Sequence, residues 1–255
     1  MVTFETKVWE KDWRFILKGN YLKKIIDRCN YPFHKKVIMI NNVNDRAAVE
    51  GYARKRVAEG IIDAFYFVGD YEKEVLQHFG LTKESFKGGY YYSIAELTSI
   101  YLCETEYLLH FSGDSFMAHK KNWVEAAITI MKSRPEVMVA NAVWNFDFPL
   151  AKKESVEELP HFYVGRGFSD QCYLVRSEDM KKRIYSEQND YSDQVYPEYG
   201  GELFEKRVDA YMRNHNLFRL TSKDASYIHE NFPYQKTVYT SNALLRSIFT
   251  KRRLK

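Results

Sequence analysis

Several things are scarce or missing in this chain of 255 residues. No apolar run approaches the roughly 18 residues that mark a membrane-spanning helix. The opening Met1-Val2-Thr3-Phe4-Glu5 lacks a basic stretch followed by an apolar one, so no secretory signal is expected. Cysteine is rare: Cys29, Cys103 and Cys172 lie far apart and match no zinc spacing. A sparse, odd set of this kind fits a reducing compartment without disulfides, and the expected location is cytoplasmic. Charge of one sign is in short supply too. The 38 Lys and Arg nearly cancel the 34 Asp and Glu, leaving +4, which does not by itself argue for nucleic acid.

Three chemical signatures are also absent. Without G-x-S-x-G there is no nucleophile elbow, which disfavours an α/β-hydrolase. Without G-x-G-x-x-G after the first strand a dinucleotide site is disfavoured, and without G-x-x-x-x-G-K-[ST] the chain is not a P-loop enzyme. Aromatic residues, by contrast, are plentiful, with 20 Tyr, 17 Phe and 4 Trp. Most are expected to fill the core, although a surplus also suits stacking on carbohydrate.

Hydrophobic periodicity orders the first half. A strand is expected over residues 2–8, with a polar loop at Glu5, Thr6 and Lys7. A helix over 13–29 follows. Val37-Ile38-Met39-Ile40 is a continuous apolar run, the mark of a strand covered on both faces. A helix over 45–59 leads to a third strand over 64–68 and a short helix over 72–79, stopped by Gly80. Ser93 and Glu96 have capping-box spacing at the start of another helix. A fourth strand begins at Tyr107. Such alternation predicts an α/β fold with a mostly parallel central sheet flanked by helices. The second half looks more irregular: a helix over 122–134, a strand over 136–144, loops over 152–159 and 186–199, and a strand over 167–175. A helix over 202–215 and two short extended pieces follow. Residues 234–255 read as a basic amphipathic tail, suited to weak contact with an anionic membrane or to packing on the rest of the chain.

Three polar clusters carry candidate chemistry. Ser112-Gly113-Asp114 ends the Tyr107 strand, where ligands of an open α/β sheet collect, although it is also ordinary turn composition. Tyr199-Gly200-Gly201-Glu202 opens a helix. Tyr227-Ile228-His229 ends an extended piece.

These clusters, in this order, resemble the GT-A-fold glycosyltransferases, especially family 2 and its relatives. There a strand ends in an Asp-x-Asp signature holding Mg²⁺ or Mn²⁺ against the diphosphate of a nucleoside-diphosphate sugar. Ser112 stands where the first Asp would be, Gly113 follows it, and Asp114 takes the second place. Gly200-Gly201-Glu202 is similar to the segment opening the acceptor-side helix, and His229 falls where related enzymes complete the metal site. The resemblance implies a single catalytic domain over 1–233, its donor half near 1–118 and its acceptor half near 119–233. Thr6, Asn41, Asp70 and Ser93 stand where relatives contact the nucleotide. It also implies metal-assisted, inverting sugar transfer to a hydroxyl of a glycan or lipid-linked acceptor. The divalent metal would act as a Lewis acid on the leaving diphosphate, with Asp114 and His229 as ligands. Relatives often carry Asp directly after the Glu as general base, and here that position is Leu203. Glu202 is therefore the first candidate base, with Asp170 as the alternative. Trp144 and Phe146, after the fifth strand, are candidates for stacking on sugar, and His110 reads as core. A nucleotidyltransferase or a catalytically degenerate sugar- or protein-binding module stands as the alternative. The former would need a glycine-rich phosphate loop after strand one, and residues 5–10 hold no glycine.

Overall fold

Val2, Phe4, Thr6 and Val8 lie on one face of the first strand, β1 (Val2–Val8), and Thr3, Glu5 and Lys7 on the other, because strand side chains alternate. Both faces are covered. The computed structural model describes residues 1–196 and 200–230; Tyr199 and the basic tail, residues 234–255, lie outside them. Next come α1 (Trp13–Lys18), α2 (Tyr21–Arg28), β2 (Lys35–Ile40), α3 (Arg46–Ala58), β3 (Ala64–Phe67), α4 (Glu72–Phe79), α5 (Ile94–Leu102) and β4 (Tyr107–Phe111). β1 pairs in parallel with β2 and β4, and β2 with β3.

The two sheet faces feed two cores. On β2, Ile38 and Ile40 join Phe4, Leu109 and Phe111 against α1, α2 and α3. Val37 and Met39 join Leu108 against α4 and α5 on the opposite side. The continuous apolar run of β2 is thus explained by burial on both faces. Asp45 caps α3 by accepting from the Ala48 amide at 3.0 Å, and Gly80, at φ 67°, ends α4.

The second half contributes β5 (Ser115–Met117), α6 (Val124–Ser133), β6 (Val137–Trp144), α7 (Phe148–Lys153), β7 (Ser155–Glu158), β8 (Phe162–Gly165) and β9 (Cys172–Arg176). These are followed by α8 (Ser177–Met180), α9 (Asp190–Val195), α10 (Phe204–Asn214) and β10 (Phe218–His229). All described strands form one sheet, in the order β3-β2-β1-β4-β9-β6-β10-β8-β7, with β5 on the end of β10. β9 runs antiparallel between β4 and β6, while β6 and β10 run parallel. The α/β reading holds, with the parallel run concentrated in the first half and a mixed second half.

Several local expectations differ. The helix expected over 13–29 is two helices, interrupted where Gly19 is extended. Residues 152–159, expected as a loop, contain the end of α7 and the strand β7, and residues 190–195 of the second expected loop are helical. The two extended pieces after 217 are one strand with a register shift between Thr221 and Ser226. Tertiary pairing makes strands of polar segments whose own sequence lacks alternation.

Gly201 joins the two halves. It sits at φ 65°, and a Cβ there would meet the carbonyl oxygens of Lys87 at 2.5 Å and Phe86 at 2.6 Å. Gly201→Ala is expected to lower stability by about 1–3 kcal/mol in denaturant unfolding. Gly51→Ala, on α3 with open space around it, should instead be neutral or stabilising by up to about 1 kcal/mol.

Candidate active site

At the end of β4 the chain turns through Ser112-Gly113-Asp114 into β5. The Ser112 amide donates to the Gln171 carbonyl at 2.9 Å, and the Ser115 amide donates to the Ser112 carbonyl at 2.8 Å. The Ser112 hydroxyl lies 3.1 Å from Asp114 Oδ1 and 2.7 Å from the Ser115 hydroxyl. Gly113 packs so closely that a Cβ would meet the Lys7 carbonyl at 2.5 Å, which ties the end of β1 to this turn.

β10 returns antiparallel to β5 and places His229 opposite Ser115. His229 Nε2 comes to 3.3 Å from Asp114 Oδ1, and the Glu230 amide donates to the Asp114 carbonyl at 3.0 Å. Burial first, then the charges of Asp114, Glu230 and Asp12, push the nearby Tyr21 phenol well above its ordinary value. Asp114 and His229, 115 residues apart, thus converge. Among the described residues no group of three or more His, Cys, Asp or Glu side chains is placed to hold a metal ion. The pair nevertheless fits a divalent cation of the kind that takes one or two protein ligands and fills its other positions with substrate phosphate and water.

A second set of charges lies behind this turn, on the α5 side of the sheet. Glu5 pairs with His110, whose ring stacks on Tyr173 at 4.6 Å. Lys7 pairs with Glu96 of α5. Burial disfavours the Lys7 charge, but the carboxylates of Glu96, Asp170 and Glu5 outweigh it and hold the ammonium above its ordinary value.

Glu205, in the first turn of α10, belongs to this set. It accepts from the backbone of Asp170, and burial, then the charge of Asp170, raise its carboxyl to about 8. Sequence reading passed it over in favour of Glu202 and Asp170. Its signal was a second Glu three residues after Glu202 at the same helix start. Glu202 itself is held by Lys87 at 3.2 Å and Lys206 at 3.3 Å. Burial works against its charge, but hydrogen bonds from these lysines hold the carboxyl below its ordinary value. That makes it a weak proton acceptor, suited to fixing the Gly200-Gly201 corner. Asp170 presents its backbone to Glu205 and its charge to Lys7.

The expected nucleotide contacts fare unevenly. Thr6 is 0% exposed inside β1, so the polar loop expected there is strand and its hydroxyl is sealed from any nucleotide. Ser93 makes no capping box. It is buried, donating to the Gly89 carbonyl at 2.8 Å and accepting from the Phe204 amide at 2.9 Å, while Glu96 faces Lys7. Both are buried, Thr6 within the sheet and Ser93 beneath the start of α10. Asn41 stays at the sheet edge and donates to the Tyr91 carbonyl at 3.0 Å. Asp70 is also at that edge, but its carboxylate is gripped by Arg46 at 2.7 and 2.6 Å.

Between about pH 4.5 and 8 the folded chain keeps the Glu205 proton that the unfolded chain has released, so this group makes stability fall as pH rises. Glu205→Gln should therefore gain thermal stability relative to the parent as pH is raised from about 5 to about 9. An unchanged difference in melting temperature across that range would contradict the burial of this carboxyl.

No protein-family model matches the sequence, and no curated protein matches it. Solved structures do. One is a UDP-glucose pyrophosphorylase complexed with UDP-glucose, 11% identical at a TM-score of 0.54, the match covering 99% of this chain and 100% of that one. Another is TarS of S. aureus, 10% identical at a TM-score of 0.50, covering 96% of this chain and 38% of that one. These likenesses establish the fold: the chain has the GT-A-like α/β architecture that its motifs predicted.

Proposed function

We propose that the protein is a metal-assisted glycosyltransferase that moves a sugar from a nucleoside-diphosphate donor to a hydroxyl acceptor, with inversion. The observation that carries this reading is the meeting of Asp114 and His229 at 3.3 Å on the edge formed by β4 and β10. Asp114 and His229 would hold a divalent cation, which when bound would supply charge neutralisation for the departing diphosphate. The protein's own residues do the rest. Ser112 orients Asp114 through its hydroxyl. Glu205 receives the proton of the acceptor hydroxyl as that oxygen attacks the anomeric carbon and the diphosphate leaves. Lys7 steadies the ionised Glu205 and Asp170.

The nucleotidyl-transfer alternative finds no support in the residues after β1. That segment closes directly towards α1, with the Trp9 amide bonded to Asp12 Oδ1 at 2.8 Å, and it has no glycine with which to wrap a triphosphate.

UDP is the first donor nucleotide to test, since a structure of similar fold holds UDP-glucose. UDP with Mn²⁺ or Mg²⁺ is expected to raise the melting temperature, and GDP is the next probe. Asp114→Ala should remove the metal-dependent part of the shift; a full shift in that variant refutes the site. For a donor that turns over, Glu205→Gln should cut kcat by about 10²- to 10⁴-fold. The parent's kcat/KM should rise with pH and level off above about 8, where Glu205 is ionised. A flat profile, or full activity in Glu205→Gln, would remove it as the base.

A further inference from the structure

Between α7 and the sheet lies a cavity of about 240 Å³, lined by neither Asp114, His229 nor Glu205. Its floor is the seam of β6 and β10, where Asn141 pairs with Thr221. Leu150 of α7 closes one side, and Trp144, 45% exposed, stands in the wall. Two polar atoms of lining residues have no partner among the described residues: Asn141 Oδ1 and Arg219 Nε. Asn141 is only 7% exposed and the Arg219 side chain 14%. An acceptor oxygen and a donor nitrogen, both buried and unmet, are unfavourable until something answers them. A hydroxyl group answers either, because it donates and accepts. The Arg219 charge already faces Glu154 at 3.3 Å, so the cavity is built for a neutral ligand rather than an anion.

The chain around this cavity is held under strain. Asn145 and Phe146 have φ of 44° and 63°, a left-handed conformation unusual for an aromatic residue and costly to hold. Three bonds fasten this turn to β10. The Asn145 amide donates to the Tyr227 carbonyl at 2.8 Å, the Phe146 amide to the Ser226 hydroxyl at 2.8 Å, and Asn145 Oδ1 accepts from the His229 amide at 3.1 Å. The turn that presents Trp144 therefore also holds His229. On the other side, Gln171 of the cavity wall directly follows Asp170, whose backbone holds Glu205. His229 thus lies two residues from Tyr227 of the cavity wall, and Asp170, which holds Glu205, one residue from Gln171.

We propose that this cavity is the acceptor subsite and takes a neutral, hydroxyl-rich sugar ring, stacked on Trp144 with Asn141 and Arg219 reading its hydroxyls. The proposal rests on the glycosyl-transfer reading above and adds to it the class of acceptor.

The test is saturation-transfer NMR on the full chain with a panel of simple methyl glycosides (gluco, galacto, manno and N-acetylglucosamine) at millimolar concentration, alongside UDP–Mn²⁺ thermal shifts. At least one glycoside should bind, with affinity falling about tenfold or more in Trp144→Ala and in Asn141→Leu, while Gly51→Ala, outside the cavity lining, leaves this binding intact. If Asn141→Leu fails to fold, Trp144→Ala, at a half-exposed position, decides alone. UDP binding without binding of any glycoside would overturn the subsite and leave the transferase reading standing. Glycoside binding that survives both substitutions would also overturn it. Glycoside binding that needs Trp144 and Asn141, without nucleotide binding, would keep the sugar cavity and overturn the transferase reading.

Discussion

The sheet edge around residues 112–114 depends on keeping charged groups paired on the inner face of β1. In a strand whose other face is apolar but for Thr6, Glu5 and Lys7 point into the layer between the sheet and α5. A charge removed from water must meet a partner or neutralise. His110 meets Glu5 and Glu96 meets Lys7, so β1, β4 and α5 are locked in register by electrostatics as well as by packing. Removing Glu96 would leave the half-buried Lys7 ammonium without its closest carboxylate, which is destabilising because a charge drawn out of water then lacks its partner. The same ammonium makes it tolerable for Asp170 and Glu205 to sit close together at the edge above.

That arrangement explains why α10 is placed as it is. Its apolar residues Phe204, Val208 and Met212 pack on the second core, and Ser93 joins its first amide to the start of α5. The corner before it is shaped by Gly200 and Gly201, where side chains would strike Leu203 or the carbonyls of Phe86 and Lys87. Helix, corner and sheet together deliver Glu205 to a place where burial keeps its proton affinity high. Glu202, one turn earlier and flanked by lysines, takes the opposite electrostatic fate although the two residues are chemically alike. Environment, not residue type, sets the two carboxyls to opposite proton affinities.

Much of this was legible in the sequence, and the reasons for the gaps are physical. The alternating elements of the first half announce themselves because each is an apolar run with its own stop signal, as with Val37–Ile40 or Gly80. Ser112-Gly113-Asp114 and His229 could be singled out because they end strands. The strand at Thr6 and the missing capping box at Ser93 differ from expectation because a polar residue at a strand or helix end looks the same in sequence whether it faces solvent or is covered by a neighbouring element. The capping-box spacing of Ser93 and Glu96 was a true local pattern overridden by two long-range partners, Phe204 and Lys7. Neither partner is visible within a window of a few residues. β7 and the single long β10 were likewise invisible, since their polar residues become strands only through pairing with β8 and β6.

The reduced acidic signature at residues 112–114 fits the same economy of charge. A second carboxylate at position 112 would lie beside Asp114, with Glu230 and Asp12 also near the turn, where His229 stands 3.3 Å from Asp114 Oδ1. A serine hydroxyl there keeps the geometric part of the role, bonding Asp114 and Ser115 at once, without adding to the repulsion. On the proposed reading the cost is a thinner grip on the cation. Metal affinity must then depend on the diphosphate that brings the remaining oxygen ligands, so that nucleotide and metal bind as a unit rather than in succession.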